Sequence, residues 1–431
     1  MSYKTYDNYI HSESKWFDKI PQKWDIRPIK HLAKTIPGGT PSTSNLEYWE
    51  NGDIPWLPSG MVQNCIINKE DAFKFITEKG LQNSATKNIG PNSVLIALTG
   101  GTCANIGYLT FKATANQSVI SIEPYKFFAK YIYYALLSQR EQILDKKTGG
   151  AQSGINEDDV KNILIPTMSP EEQKQIANYL DIKTINIDEI IAKNKKLIEI
   201  LEEKRISLIN EVVTKGLNPN VKMKNSEMKW VEEMPEHWDI ERGKHILTQL
   251  KRNVKYNDEV ITCFRDGEVT LRRKRRETGF TMSDKEIGYQ GIEVNDLVVH
   301  GMDGFAGAIG ISDSRGKGSP VLIVLDSKQN KKYLMYYLRN LAYNNVFLAL
   351  STGIRVRSCD LRWEKLANLT FLIPPLNEQK EISDYLDSEI LKIYNIIAKI
   401  KKHTALLEEY KYSLIHHVVT GKIDVRGGQV E

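Results

Sequence analysis

The sequence predicts an α+β protein: two α/β domains separated by two long helices, which pair inside one chain as an antiparallel coiled coil with pseudo-twofold symmetry. Three observations predict it. First, Glu172 to Thr214 aligns with Glu378 to Thr420 at a constant offset of 206 residues, with 23 of 43 positions identical and no gap. A loop would tolerate insertions, so this is the signature of a continuous helix duplicated in tandem. Second, both segments carry an apolar seam of heptad spacing. Third, the region ahead of each segment shows β-branched runs broken by glycines and then a short aromatic helix.

The chain has 431 residues, 41% of them hydrophobic, enough for about two or three domains. A net charge of +5 is too mild to imply a nucleic-acid partner by itself, so such a reading must rest on local clusters. Cys65, Cys103, Cys263 and Cys359 show no Cys-x-x-Cys spacing, which argues against a disulfide framework or a zinc site. The first residues, MSYKTYDNYIHSESKW, lack the apolar core of a signal peptide, and no run approaches a membrane span. A cytoplasmic protein with no membrane partner is expected.

The expected order is an α/β domain over 1–168, a long helix over 169–215, a linker over 216–233, a second α/β domain over 234–375, a second long helix over 376–421, and a tail over 422–431. Each domain starts from a Trp/Pro/Trp motif, SKWFDKIPQKWDI (Ser14 to Ile26) and MKWVEEMPEHWDI (Met228 to Ile240). In each a strand runs into a glycine turn, NSVLIALTGGTCANIG (Asn92 to Gly107) and NDLVVHGMDGFAGAIG (Asn295 to Gly310). The strands VISIEP and VLIVLD follow, then the aromatic helices FFAKYIYYALLS and KKYLMYYLRNLAYNN. A Thr-Gly turn, at Thr148 or Thr352, and an LIP strand ending at Pro166 or Pro374 close each domain. Between these shared anchors the two domains diverge almost completely.

In the first helix the seam is expected at Leu180, Ile187, Ile190, Leu201 and Leu208, and in the second at Leu386, Ile393, Ile396, Leu407 and Leu414. Asn194 falls in the same column. Each helix would span roughly 65 Å at about 1.5 Å per residue, longer than a domain core needs, so it reads as a spacer. An intermolecular coiled coil holding a homodimeric adaptor is the alternative, but tandem duplication supplies both strands within one chain.

No catalytic constellation is legible. The nearest phosphate-loop candidate, Gly310 to Gly318, ends Gly-Lys-Gly, and GMDGFAGAIG lacks the G-x-G-x-x-G spacing. There is no His-Glu-x-x-His, G-x-S-x-G or Asn-Pro-Pro-Tyr run. Neither catalytic residues nor metal ligands are expected.

The partner signals are polar and basic. TLRRKRRETGF (Thr270 to Phe280) sets Arg272, Arg273, Arg275 and Arg276 around Lys274, close to Arg265. Arginine both neutralises phosphates and reads guanine edges. Arg355 and Arg357 lie in the STGIRVRS loop, and the matching loop of the first domain, TGGAQSGIN, offers Gln152 and Ser153. The strand-to-glycine turns add Thr99 and Thr102 in the first domain and Met302 and Asp303 in the second. The Gly38 to Gly60 segment, anchored by Trp49 and Trp56, adds Thr40, Ser42 and Ser59. Unlike side chains at matching loops would read unlike bases.

With its LIP…EEQ and LIPPLNEQ helix starts, GGTPS…YW.NGDIPWL run, TGG…IN loop and repeated IP..WDI motif, the chain resembles the specificity subunits of type I restriction-modification enzymes. The resemblance covers essentially the whole chain. It implies two target recognition domains, each binding half of a split sequence on double-stranded DNA, with the helices setting their separation and docking two modification (methyltransferase) subunits. Restriction subunits would join through that complex. It also implies no catalysis and no cofactor here: S-adenosylmethionine, ATP and magnesium belong to the partners. Domains on one side of a duplex would reach major-groove faces about 34 Å, or roughly 10 bp, apart. Because the domains differ, the two half-sites are expected to differ.

Overall fold

The structure, a computed structural model, describes residues 4–427 apart from 13, 15, 148–152, 276–286 and 350–360. It forms two compact units, one of residues 1–194 with 402–431 and one of residues 195–401. Both boundaries fall inside long helices, so each unit owns half of each helix.

The first unit is built on a five-stranded sheet of β1 (Ala33–Pro37), β2 (Cys65–Ile67), β3 (Ser93–Ala97), β4 (Ile106–Leu109) and β5 (Val119–Pro124), in the order β1-β5-β3-β4-β2. Neighbours are antiparallel except β2 with β4. Asn92, which turns the chain into β3, sits at φ +61° and its counterpart Asn295 at +68°, a left-handed conformation that asparagine tolerates better than most residues. All five residues of β3 are buried because the strand has a core on both faces. Val94 and Ile96 face a cluster with Tyr131 and Ile132 of helix α1 (Ala129–Ser138), while Leu95 and Ala97 face Leu57, Ile67 and Leu109.

Long helix α2 (Pro170–Lys215) follows. It starts where Ser169 Oγ accepts the Glu172 N–H and a proline occupies the first turn, and it stops at Gly216, whose φ of +77° serves the left-handed cap.

The second unit repeats the plan with β6 (Thr248–Leu250), β7 (Leu297–His300), β8 (Ile309–Ile311) and β9 (Leu322–Asp326), ordered β6-β9-β7-β8 and antiparallel throughout. Among the described residues no strand joins this sheet in the place of β2; there Val269 makes only an isolated parallel bridge to Ser312, just beyond β8. Helix α3 (Lys331–Tyr343) covers Leu297 and Val299, leaving Val298 to a second cluster with Ile261 and Val324. Long helix α4 (Leu376–Val419) ends, like α2, before a glycine in the left-handed region, Gly421 at +73°.

Two repeated motifs far apart in sequence turn out to be strand partners. Asp25–Pro28 pairs antiparallel with Leu164–Thr167, and Asp239–Arg242 pairs with Thr370–Ile373. Thus WDI and LIP close each domain on itself, directly ahead of its long helix. Within and just beyond the stretch expected as a linker, Met223–Met228 and Val231–Pro235 form an antiparallel hairpin. Its counterpart in the first unit is the hairpin of Tyr9–His11 with Lys19–Pro21. In the described part of the expected tail, Ile423 and Val425 are buried and the Asp424 N–H donates to the Lys4 carbonyl at 2.8 Å.

Within each unit the two long helices run antiparallel. In the first, moving up α2 from Asp188 to Asn194 moves down α4 from Lys411 to Thr404, through Lys411 Nζ to Asp188 at 2.6 Å and Asn194 Nδ2 to Thr404 Oγ1 at 3.1 Å. In the second, Arg205 Nη1 donates to Tyr394 Oη at 2.7 Å. Arg205 and Lys411 are repeat equivalents, as are Asp188 and Tyr394. One position pair is therefore served by an ion pair in one unit and by a phenol in the other.

The seam corrects the heptad expectation in one column. Leu180, Ile187, Leu386, Ile393 and Leu414 are buried, and Leu201, Leu208 and Leu407 are half-buried. Ile190 and Ile396, however, are 40% and 45% exposed, while the adjacent Ile191 and Ile397 are 7% and 4% exposed. Buried positions run 176, 180, 184, 187, 191 and 382, 386, 390, 393, 397. That 4-4-3-4 spacing is the 3.6-residue period of a nearly straight helix, from which a strict heptad column drifts by about 20° per repeat.

Candidate nucleic-acid interface

In the first domain, the loops at the glycine-turn end of the sheet converge. Beyond β3 the chain enters Thr99, Gly100 at φ +69° and Gly101, and a side chain added at either glycine would meet nothing within 4 Å. Exposed Thr99 donates to Ser118 Oγ at 3.0 Å and bridges to Gly154, and Ile155 N–H donates to the Leu98 carbonyl at 2.9 Å. Thr102 Oγ1 lies 3.4 Å from the Thr99 carbonyl. Thr40 hydrogen-bonds Gln117. Beneath it, buried Trp56 donates to the Gly39 carbonyl at 2.9 Å, and Trp49 stands edge-on to Trp56 at 5.1 Å while donating to the Ser42 carbonyl at 3.0 Å. The tryptophans are therefore anchors, and Thr40, Ser42, Thr99, Thr102 and Ser153 belong to one polar rim. Ser59 opens a 3-10 turn that ends at Met61, and Gln152 lies outside the described residues. Sequence alone does not single out Gln117 and Ser118; the only signal is a polar ANQS turn between two buried strands.

The second domain presents a hairpin in the same region. Ile261–Cys263 pairs with Val269–Leu271 around a Phe264 to Glu268 turn. Gly267 in that turn has a φ of +92°, and buried Arg339 of α3 donates to the Asp266 carbonyl at 2.6 Å. Gly310 must also be glycine, because a Cβ there would lie 1.9 Å from the Gly267 carbonyl. Exposed Arg265 at the tip reaches Asp303 at 2.8 Å, beside Met302, which is 53% exposed.

The basic run after the hairpin is not a bare positive face. Arg273 pairs with Glu259 at 2.5 Å, and Lys274 pairs with Asp313 at 3.1 Å. Arg275 pairs with Asp266 at 2.5 Å and with Glu268 at 2.9 Å, its guanidinium 4.2 Å from the Phe264 ring. Arg272 Nε donates to Thr262 Oγ1 at 3.2 Å. Burial pushes the Asp266 carboxyl up, but hydrogen bonds from Arg275 and from the Glu268 N–H outweigh it and hold it below the usual carboxylate range. Asp313 is likewise depressed: Ser314, Lys274 and Thr270 overcome its desolvation. Glu259, Asp303 and Asp313 lie outside the Thr270 to Phe280 window, which is why that window overstates the local charge. Arg276, Arg355 and Arg357 lie outside the described residues; Leu361, the first described residue after the last two, donates its N–H to the Gly301 carbonyl at 2.9 Å.

Among the described residues there is no group of three or more His, Cys, Asp and Glu side chains able to hold a metal, and no helix long and apolar enough to cross a membrane. Two unlike α/β domains, each followed by a copy of the same long helix and each with polar or basic loops at the glycine-turn end of its sheet, define the class: a tandem protein with a duplicated frame and dissimilar loops. The model of the type I restriction modification DNA specificity domain matches residues 21–202 and 279–404. The chain belongs to this family, and is a specificity subunit, the non-catalytic component, of a type I restriction-modification system.

Among its relatives, the MjaVIII specificity subunit of Methanocaldococcus jannaschii is 26% identical over 429 residues, 95% of each chain. The EcoR124I/EcoR124II specificity subunit of Escherichia coli is 32% identical over 181 residues, and the match spans only 44% of that protein. A solved chain from work on complex assembly and conformational transition of the type I R-M system shares the fold, with a TM-score of 0.68 at 14% identity over 94% of this chain and 99% of that one.

Proposed function

We propose that the chain recognises a bipartite, asymmetric sequence in double-stranded DNA and docks two copies of a modification subunit, and through them restriction subunits, in the cytoplasm. The observation that carries this reading is the combination of a repeated frame with unrepeated rims: hydroxyls and amides around Thr40 and Thr99 in one domain, an arginine-tipped hairpin at Arg265 in the other. A frame used twice suits two copies of one partner, and rims that differ suit two different half-sites. S-adenosylmethionine, ATP and magnesium are assigned to the partner subunits.

The exposed helix residues support two like partners. Ile185, Ile190 and Leu406 are 51%, 40% and 53% exposed in the first unit; their repeat equivalents Leu391, Ile396 and Ile200 are 60%, 45% and 49% exposed in the second. Ile190 and Ile396 are identical in the two copies although neither is needed in the seam.

Selection of duplexes from a randomised pool by the full chain tests the reading. Two different short motifs at a fixed spacing are expected; a single continuous motif, two identical motifs, or no enrichment would overturn it.

A further inference from the structure

Each long helix opens with the same three polar residues, and each does the same work in both units. Glu172 accepts from Trp24 Nε1 at 3.2 Å and from Tyr6 Oη at 2.7 Å; Glu378 accepts from Trp238 Nε1 at 3.1 Å and meets His237 Nε2 at 2.8 Å. The glutamate therefore ties the helix to the WDI motif of its domain. Gln173, 1% exposed, accepts the N–H of Phe128, the residue capping α1, at 3.0 Å and donates to the Met168 carbonyl at 3.0 Å. Gln379, fully buried, accepts the N–H of Asn330, which caps α3, at 2.9 Å and donates to the Pro374 carbonyl at 2.8 Å. A turn or two further on, Asp181 binds Lys130 at 2.5 Å and Tyr134 at 2.8 Å, and Asp387 binds Lys332 and, at 2.7 Å, Tyr336.

Three separated points fix a rigid body, and here they join one helix to both the WDI motif and the aromatic helix of its domain. A buried amide with both ends satisfied is costly to misplace, so each clamp admits one docking angle. The hydrogen bonds of the clamp are distinct from those that hold the candidate DNA-facing loops.

We infer that Glu172, Gln173 and Asp181, and likewise Glu378, Gln379 and Asp387, are positioning residues that set the angle at which each domain rides on its helix. On the DNA-recognition reading proposed above, they thereby set the spacer length that the chain accepts. The first clamp has an added member, since Arg426 lies 3.7 Å from Glu172 and over the Tyr6 ring at 4.3 Å.

The test compares the full chain with two double variants, Glu172→Gln with Asp181→Asn and Glu378→Gln with Asp387→Asn. Duplexes selected by the unaltered chain are rebuilt with spacers one base pair longer or shorter. Simultaneous engagement of both half-sites supplies discrimination of about 100-fold or more. In each double variant this is expected to fall below about 10-fold, with the preferred bases of both half-sites unchanged. Retained spacer discrimination would overturn the inference, as would loss of base preference together with spacer preference, which marks residues that merely hold the fold. Failure of the unaltered chain to select a bipartite site would instead sink the DNA reading. The clamp is then still judged by amide hydrogen exchange: faster exchange at Asp25–Pro28 and the start of α1 in the first double variant, with β3 still protected, supports it, and unchanged exchange overturns it.

Discussion

Arg275 shows how little a basic side chain reveals until its neighbours are known. In sequence it is one of five consecutive cations; in the structure two carboxylates and an aromatic ring already hold it. A cation neutralised within its own domain releases few counterions when DNA arrives, so it contributes little to salt dependence. Arg273 is different, because its single pair with Glu259 leaves its side chain 68% exposed and exchanges readily for phosphate. Arg273→Ala is therefore expected to lower the slope of log affinity against log salt by about one unit, as for a lost phosphate contact. On the proposed DNA reading, Arg275→Ala should leave that slope nearly unchanged while weakening binding, since it frees the Asp266 and Glu268 carboxylates to repel phosphate. Titrations at several salt concentrations decide this, and a full unit lost with Arg275→Ala would mean that its ion pairs open on DNA.

At the scale of the element, the long helices were legible in almost every respect. Their existence, their starts near Ser169 and Pro375, and their glycine stops follow from local chemistry: a capping hydroxyl, prolines, and a residue that accepts positive φ. Which side faces inward was not fully legible, because a 3.5 and a 3.6 repeat separate by only a fraction of a turn over a few heptads. The buried face places Ile187 and Ile393 inside and Ile190 and Ile396 at the edge. Alanine at Ile187 or Ile393 should thus cost about 2–4 kcal/mol, and alanine at Ile190 or Ile396 under about 1 kcal/mol. Urea unfolding of the four variants checks the ordering, and equal costs in all four would restore the strict heptad seam. Should the exposed pair serve a modification subunit, the same two alanines would weaken co-purification of that partner while leaving the fold intact.

At the scale of the whole molecule, the helices act as a ruler if the functional reading holds. Removing seven matched residues from the middle of both shortens each by about 10 Å, which corresponds to roughly 3 bp of duplex. The expected outcome is a preferred DNA site with the same two motifs and a spacer shorter by about that amount. Selection from a randomised pool reads it directly, and an unaltered spacer would refute the ruler.

The duplicated helices, the two domains and the unlikeness of their rims were determined by sequence alone, because repeats, periodicity and turn chemistry are written in neighbouring residues. Only the tertiary structure decided which apolar column is buried, which carboxylates the basic run pairs with, and that Glu172, Gln173 and Asp181 clamp a domain to its helix. Each of those facts depends on partners brought together from distant parts of the chain: Glu259 for Arg273, Asp313 for Lys274, Trp24 for Glu172. Local pattern specifies what a segment is, but charge and hydrogen bonding are settled by what folding places within about 3 Å of it.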